Sequence, residues 1–278
     1  MTPTTDRNVA EYPTVFGFFP LPESVGSCRI ETPGLIRRIA TVMLIRLSNR
    51  HVRIVASALF ASMMSLPVSG AEEDAKAVSL FNGTDLTGWE GAPGWWTVEN
   101  GAITSESTAA KPCTAANYLT WKGGKPADFE FTCEFKISAE GNSGIQIRSE
   151  ARPDWDTFGY QADLTGDGSL VGYVYHHARG LIAERGQKVV LTAQGAKEVE
   201  PIAKPEELLK HFKKNDWNQY RIVCRGPEIT LFINGELMCR FTDHSPEPAA
   251  KNGIIALQMH PGPPMKVQFR NLTLKEFK

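Results

Sequence analysis

Apolar and polar positions alternate in short segments along most of the chain. In the segment FEFTCEFKIS, for example, every second residue from Phe129 to Ile137 is apolar, which is the two-residue period of a β-strand with one buried face. Similar segments recur at about ten-residue spacing and are separated by Gly, Pro, Asn and Asp, which favour turns. The pattern predicts a hairpin around Asn100-Gly101, single strands in 129–138, 143–149 and 159–164, a three-stranded meander over 218–243, and closing strands in 254–259 and 265–277.

One segment has a helical pattern instead. From Lys204 to Lys214, Pro205 stands at the first turn, and Leu208, Leu209 and Phe212 fall on one face. With so little helix and so many short strands, the sequence predicts an all-β domain in which two antiparallel sheets pack face to face.

Residues 1–71 differ in composition from the rest of the chain. They contain seven Arg, no Lys, four acidic residues and no Trp. Three of the Arg residues precede an apolar run over 54–68 and a small-residue site that ends at Ala71, a pattern typical of a secretory signal peptide.

The position of this segment raises a question about the start of translation. A start at Met43 gives a leader of ordinary size, so we expect 1–42 to be an over-extended, unstructured start, 43–71 a signal peptide, and 72–278 a single β-sandwich domain. The expected location is then periplasmic or secreted, with no membrane contact after cleavage. The alternative is a protein held by one membrane anchor with a cytoplasmic tail.

Net charge and cysteine content exclude two classes of protein. The formal net charge is -1 and no long Lys/Arg run occurs, so we expect no nucleic-acid partner. Five Cys in 278 residues are too few for a disulfide scaffold. The expected turns place Cys224 opposite Ile229 and Cys239 opposite Thr230, on different faces, which disfavours a disulfide between the two cysteines.

A polar face emerges when the strands are divided by parity. Four strands each carry a Gln and, two residues later, a charged or ionisable residue: Gln146 with Arg148, Gln161 with Asp163, Gln258 with His260, and Gln268 with Arg270. A solvated sheet face is one interpretation. Because these side chains suit the binding of hydroxyl groups, a carbohydrate groove is the other, with aromatic rim candidates at Trp121, Trp155, Tyr173 and Tyr175.

The order of several sequence blocks resembles one protein family. LFNGTDLTGW, WTVENGAI, NSGIQIRS, DWNQYRIVCRG, LFINGEL and GIIALQMHPGPPMKVQFRNLTLKEF, spread over 80–277, are similar to the 3-keto-disaccharide hydrolase domain family. The resemblance implies a concanavalin A-like jelly-roll sandwich, export by bacteria, and activity on glycosides oxidised at carbon 3.

The resemblance also implies site residues. The family-like polar positions coincide with the face found by parity and are Arg148, Gln161, Asp163, Gln258, His260 and Arg270. In the segment GYVYHHARG, the family's acidic pair is replaced by His176 and His177 after Tyr175, while Arg179 keeps the basic position. We therefore expect substrate contacts from Gln146, Gln161, Gln258, Gln268, Tyr175, His176, Arg179 and Trp121.

The residue types favour a reaction other than ordinary glycoside hydrolysis. That reaction uses two carboxylates, and Gln161 stands where the first would be needed. A ketone at carbon 3 makes the carbon 2 proton acidic, so one base can eliminate the glycosidic group before water adds. His260 or Asp163 would move the proton, and Arg148 or Arg270 would stabilise the enolate. A non-catalytic lectin-like module with the same face is the alternative.

No motif indicates a metal. The segment that contains His176 and His177 has no HxH or CxxC pattern. Because adjacent residues of a strand point to opposite faces, these two histidines would not easily bind one ion if the segment is a strand. Asp85, Asp163 and Asp167 suit turns or a calcium ion. We expect no required cofactor, although a divalent cation is compatible with these residues, and a small carbohydrate as the ligand.

Overall fold

The structure is a computed structural model that describes residues 76–246 and 249–278. These residues form seventeen β-strands, one short α-helix and one 3-10 turn. The strands are β1 (Val78–Ser79), β2 (Trp89–Glu90), β3 (Trp96–Glu99), β4 (Ala102–Glu106), β5 (Asn117–Trp121), β6 (Phe129–Ile137), β7 (Asn142–Ala151), β8 (Thr157–Thr165), β9 (Val174–His176), β10 (Gly180–Ala183), β11 (Gln187–Leu191), β12 (Lys197–Pro201), β13 (Asn218–Arg225), β14 (Glu228–Ile233), β15 (Glu236–Asp243), β16 (Ile254–Met259) and β17 (Lys266–Glu276). The 3-10 turn is Pro153–Trp155, and the helix, α1, is Pro205–Leu209.

The strands form two sheets. The large sheet has the order β12-β11-β15-β14-β13-β6-β17-β4-β3, with β1 beside β17, and the small sheet has the order β10-β9-β8-β7-β16-β5-β2. Buried side chains such as Phe131 and Leu231 of the large sheet and Ile145 and Leu257 of the small sheet belong to one apolar core. The predicted two-sheet, all-β architecture is confirmed, except that β11 and β15 pair in parallel.

The hairpin prediction at the Asn-Gly pair is confirmed. Asn100 and Gly101 have φ values of 51° and 75°, and they join the antiparallel strands β3 and β4. Two consecutive positive φ values match the right-handed twist of the flanking strands, and Asn and Gly adopt them most readily. The second Asn-Gly pair, at Asn234 and Gly235, joins β14 and β15 in the same way.

The helix is shorter than the predicted span. It begins at Pro205 as expected but ends at Leu209 instead of Lys214. After Leu209 the backbone N–H groups bond to carbonyl oxygens three residues back, as Phe212 does to Leu209 at 3.1 Å, so the α-helical pattern ends. Further along, the amide group of Asn218 accepts a hydrogen bond from the Lys213 N–H and donates one to the Lys213 carbonyl oxygen, both at 2.8 Å. These bonds hold the segment after the helix as a loop.

The register of the meander departs from the prediction at one cysteine. Cys224 lies opposite Ile229 as expected, but Cys239 lies opposite Leu231 and not Thr230, because the pairing shifts between Leu231 and Phe232. Cys224 and Cys239 are therefore both buried in the core rather than on opposite faces. In the described part of the chain, all four cysteines are buried and free of disulfide bonds.

The predicted start, signal peptide and cleavage site at 1–71 lie outside the described residues. Among the residues that are described, no helix is both long and apolar enough to cross a lipid bilayer.

Candidate functional site

The outward face of the small sheet carries a compact set of polar side chains. Gln146 of β7 pairs in register with Gln161 of β8, and Asp163 lies two residues further along β8. Gln258 extends from β16, the strand on the other side of β7. These four side chains are at most 5% exposed, so this part of the face is not an ordinary solvated surface.

Hydrogen bonds join the four side chains into one network. Gln146 Nε2 donates to Gln161 Oε1 at 2.5 Å, and Gln161 Nε2 donates to Asp163 Oδ1 at 2.6 Å and to Gln258 Oε1 at 3.3 Å. Gln258 Nε2 donates in turn to the Tyr118 hydroxyl oxygen at 2.8 Å. Each amide is therefore fixed in orientation by its neighbours.

A glycine makes room for the centre of the network. Gly144 lies opposite Asp163 in the sheet, and a Cβ atom at this position would come within 2.3 Å of the Gln161 side-chain Cδ. The missing side chain thus lets Gln161 lie flat across the strand and reach the carboxyl of Asp163.

The carboxyl of Asp163 has an unusual environment for an acid. Burial raises the pKa of Asp163 to about 7, and the hydrogen bond from Gln161 lowers it only in part. Because this pKa is close to neutral pH, the carboxyl can both accept and release a proton there.

Tyr118, His177 and His260 are among the further ionisable side chains that line the same cavity. Burial raises the pKa of Tyr118 to about 12, so its hydroxyl group remains a donor at neutral pH. The Nε2 atom of His177 is 3.4 Å from the Tyr118 hydroxyl oxygen. The Nδ1 atom of His260 is 2.6 Å from the carbonyl oxygen of Pro261 and so must carry a hydrogen, which leaves Nε2 for other contacts.

The cavity above this network has a volume of about 370 Å³. Its lining includes Asn142, Asp156, Tyr175 and Leu181 in addition to every network residue except Gln146. A second cavity, of about 700 Å³, lies elsewhere and includes Arg148 and Asp243 in its lining. Those two charges are already paired, with Asp128 and Arg179 respectively, whereas the carboxyl of Asp163 has no cationic partner among the described residues. We therefore place the candidate site at the smaller cavity.

Comparison with known proteins identifies the family. The model of the 3-keto-alpha-glucoside-1,2-lyase-like domain matches residues 76–275. The chain belongs to this family. No curated protein sequence matches the chain significantly. The resemblance found in the sequence blocks is confirmed by the family match.

Several solved structures are similar to this chain, and their descriptions differ. A protein from Parabacteroides distasonis ATCC 8503, described as a glycosyl hydrolase, is 19% identical over 73% of this chain and 94% of its own, with a TM-score of 0.48. The carbohydrate-binding module CBM66 from Bacillus subtilis is 15% identical over 69% and 98%, with a TM-score of 0.47. The laminarinase catalytic domain from Thermotoga petrophila RKU-1 is 10% identical over 74% and 98%, with a TM-score of 0.46. The structure itself contains the predicted sandwich of two mainly antiparallel sheets around one core.

The family-like residue Arg148 lies outside the cavity. The pairing of β7 with β8 shifts between Ile147 and Glu150, and Arg148 has a φ of 47°. This bulge turns Arg148 away from the polar face and places Ser149 there instead, where its hydroxyl group donates to Gln146 Oε1 at 2.8 Å. The expectation that Arg148 shares a face with Gln146 is therefore wrong.

Gln268 and Arg270 are also separated from the site, because β17 belongs to the large sheet. Gln268 Nε2 donates to the Thr104 hydroxyl oxygen at 3.2 Å, and Arg270 Nε donates to Glu134 at 2.6 Å. Arg270 also stacks over the ring of Trp217. The prediction that four Gln-containing strands share one face is wrong for this strand.

The end of β9 and the loop that follows it place their side chains on two sides of the small sheet. His176 is buried against the ring of Tyr160, and burial lowers its pKa to about 4, whereas His177 lines the cavity. Arg179 donates to Asp243 of the large sheet at 2.7 Å. The structure thus assigns His176 and Arg179 to contacts inside the sandwich, and His177 takes the place expected for His176.

The predicted aromatic residues divide in the same way. Tyr175 lies in the cavity wall, opposite Gln161 in the register of β8 and β9. Trp121 has the parity of the buried Leu119 and packs against the core, so it does not line the site. Tyr118 was not predicted as a site residue, although its position immediately before Leu119 in an alternating strand indicates an outward side chain.

Two of the three acidic residues considered for a calcium ion lie in turns. In the ranges described, no three His, Cys, Asp or Glu side chains converge into a group that could hold a metal ion. Asp85 and Asp167 accept backbone N–H bonds from Thr87 and Ser169, which is turn chemistry. That the protein requires no cofactor stays a prediction.

Proposed function

We propose that the protein cleaves the glycosidic bond of 3-keto glycosides in the cavity of the small sheet. The supporting observation is the buried carboxyl of Asp163, which has a pKa of about 7 and is held at the floor of the cavity by Gln161. Membership of a family described as 3-keto-α-glucoside-1,2-lyase-like supports the choice of substrate. A base that titrates near neutral pH is what removal of a weakly acidic C–H proton needs.

The proposed first step is elimination. The Asp163 carboxylate takes the proton from carbon 2, and the electron pair of that C–H bond forms an enolate with the ketone at carbon 3. The enolate then expels the glycosidic oxygen from carbon 1, which leaves a double bond between carbons 1 and 2 and restores the ketone. Protonated His260, whose Nε2 is not engaged by Pro261, donates a proton to the departing oxygen.

The enolate oxygen needs a hydrogen-bond donor, and the sequence predicted Arg148 or Arg270 for this role. Since Arg148 and Arg270 lie outside the cavity, the Tyr118 hydroxyl group takes this role. It accepts a hydrogen bond from Gln258, so its own proton points either to His177 Nε2, 3.4 Å away, or to the oxygen at carbon 3 when substrate is bound. Burial keeps the pKa of Tyr118 at about 12, so the proton is retained at neutral pH.

Addition of water completes the proposed reaction. His260 takes one proton from water as the hydroxyl group adds to carbon 1, and Asp163 returns its proton to carbon 2. These transfers give the free 3-keto sugar and restore both side chains. The protein works after export in this proposal, which rests on the leader-like pattern of residues 43–71.

Substrate turnover tests the proposed function. The domain is incubated with 3-keto-trehalose or 3-keto-sucrose and, in parallel, with trehalose or sucrose, and the released sugar is measured. We expect release from the oxidised sugars alone, because only their carbon 2 proton is acidified by a ketone. Binding of the 3-keto sugars without release would contradict the proposal and favour a lectin-like binding module.

A further inference from the structure

The imidazole of His177 joins the Tyr118 hydroxyl group to the backbone of β8. Its Nε2 atom is 3.4 Å from the Tyr118 hydroxyl oxygen. Its Nδ1 atom is 3.3 Å from the Gly159 nitrogen and 3.1 Å from the Gly159 carbonyl oxygen. A neutral imidazole carries a hydrogen on one nitrogen and accepts at the other. The nitrogen that carries the hydrogen therefore determines whether His177 donates to Tyr118 or accepts from it.

The backbone of Gly159 decides between the two arrangements. Gly159 is buried, and a buried backbone N–H is rarely left without an acceptor. Its carbonyl oxygen already accepts a hydrogen bond from the His177 backbone N–H at 3.3 Å. Its own N–H donates to Nδ1 of the imidazole, and a hydrogen on Nδ1 would leave that N–H facing another donor. Nδ1 is therefore the acceptor, and the ring hydrogen is on Nε2.

Two aromatic rings hold the imidazole in place. The ring centroids of Phe158 and Tyr175 are 5.8 Å and 5.5 Å from that of His177, and the planes of the Tyr175 and His177 rings are 74° apart. Packing of this kind restricts the rotation of a side chain. Nε2 therefore stays beside the Tyr118 hydroxyl group.

The Tyr118 oxygen then has two donors. The Tyr118 ring is 2% exposed and packs against Ile254 and Ala256 of β16, and Gln258 Nε2 donates to the hydroxyl oxygen at 2.8 Å. With its hydrogen on Nε2, His177 is the second donor. Because a hydroxyl oxygen has two lone pairs, both are then occupied, and the hydroxyl hydrogen has to be donated to another group.

The Thr157 hydroxyl group is a further neighbour of Tyr118. Burial raises the pKa of Tyr118 to about 12, and the nearby Thr157 side chain lowers it only in part. Among the described residues, however, Thr157 Oγ1 forms no hydrogen bond of good geometry. Thr157 therefore does not hold the Tyr118 proton, which is left for a ligand in the cavity.

We infer that His177 is a positioning residue that makes Tyr118 a hydrogen-bond donor to the substrate. The inference rests on the proposed function, in which the acceptor is the oxygen at carbon 3. It decides between the two directions open to the Tyr118 proton, because Nε2–H of His177 cannot accept it. A ketone oxygen, which only accepts, suits this arrangement, and negative charge that develops on it strengthens the hydrogen bond.

Two substitutions separate the two ends of the imidazole. His177→Gln keeps an amide that can donate at the position of Nε2, whereas His177→Asn keeps an acceptor near Nδ1 and is too short to reach Tyr118. For 3-keto-trehalose we expect kcat to fall about three- to tenfold in His177→Asn and to stay near wild type in His177→Gln, with KM little changed in both. His211→Asn is the matched control, since the His211 side chain is 47% exposed and lies near Glu236, and it should leave kcat unchanged.

The Tyr118→Phe variant shows whether the effect passes through the hydroxyl group. In that background, His177→Asn should cause no further loss of kcat, because no hydroxyl group remains to be positioned. Equal losses in His177→Asn and His177→Gln, or the same loss with and without the Tyr118 hydroxyl group, would overturn the inference.

The position of the ring hydrogen is measured without turnover. Protein labelled with ¹⁵N at histidine is studied by NMR at alkaline pH, where histidine is ordinarily neutral, and the His177 signals are those that disappear in His177→Gln. We expect Nε2 to carry the hydrogen and Nδ1 to carry none, and a hydrogen on Nδ1 would overturn the inference. If the wild-type protein cleaves no 3-keto sugar, the proposed function fails, while the NMR result still decides whether His177 donates to Tyr118.

Discussion

The carboxyl of Asp163 lies where its charged form is disfavoured. It is 4% exposed, and the one side chain that stabilises its charge is the neutral amide of Gln161. Natural proteins usually pair or expose a carboxylate, so a buried one without a cation reduces the stability of the fold. That cost is consistent with a functional carboxyl rather than a structural one.

Stability should therefore depend on pH through Asp163. Its folded-state pKa of about 7 is above the ordinary value of 3.8, so the unfolded state loses its proton first and the folded state loses stability between about pH 4 and pH 7. Asp163→Asn removes this dependence, and its free energy of unfolding relative to wild type should rise across that range by up to ~4 kcal/mol. Urea unfolding at pH 4 and pH 8 measures the difference.

Asp167→Asn is the control for this experiment. Asp167 is exposed, and the hydrogen bond from the Ser169 N–H lowers its pKa below the ordinary 3.8, so its contribution to stability changes only below about pH 4. The free energy of unfolding of Asp167→Asn relative to wild type should therefore be nearly the same at pH 4 and pH 8. A difference between Asp163→Asn and wild type that stays constant with pH would contradict the pKa assigned to Asp163.

Parity predicted single residues where strands are regular. Gln146, Gln161, Asp163 and Gln258 were placed correctly on one face because β7, β8 and β16 alternate without interruption around them. The choice between His176 and His177 could not be made in the same way. The strand β9 has only three residues, too few for its pattern to show which parity faces outward.

At the scale of elements, the bulge in β7 determines which groups the Arg148 side chain contacts. The guanidinium group is 2% exposed and donates to the carbonyl oxygens of Ala127 and Gly226, at 2.9 Å or less, and to the carboxylate of Asp128 at 3.0 Å. Arg148 thus joins β7 to two loops that precede β6 and β14. The geometry indicates a structural role.

Arg148→Ala should therefore lower stability and spare catalysis. Loss of the side chain leaves buried carbonyl oxygens without donors, and we expect a cost of ~3 kcal/mol or more. The thermal midpoint should fall, while kcat of the folded fraction should stay within a few-fold of wild type. Arg270→Ala, which removes a partly exposed pair with Glu134, should cost less than about 1 kcal/mol. A stable but inactive Arg148→Ala protein would contradict this role.

Local sequence determined some elements and not others. The Asn-Gly hairpins were predictable because their backbone conformation is demanded by two adjacent residues. The bulges at Arg148 and near Cys239, and the parallel pairing of β11 with β15, depend on contacts between distant segments. No short pattern in the sequence encodes those contacts.

At the scale of the whole molecule, the two sheets differ in what they present. The small sheet carries the polar network and the cavity, and the outer face of the large sheet carries surface ion pairs such as Arg221 with Glu130 and Arg270 with Glu134. Parity shows which residues of a strand share a side, but not which sheet the strand joins. Gln268 and Arg270 were misplaced for this reason.

The isotope effect at carbon 2 tests the central claim most directly. The claim is that Asp163 removes the carbon 2 proton in the cavity of the small sheet. The kcat/KM is measured for 3-keto-trehalose with hydrogen or deuterium at carbon 2, using wild type and Asp163→Asn. We predict slower cleavage of the deuterated compound by wild type and a loss of about 10²- to 10⁴-fold in the variant. Equal rates for both compounds, together with an active Asp163→Asn protein, would contradict the account.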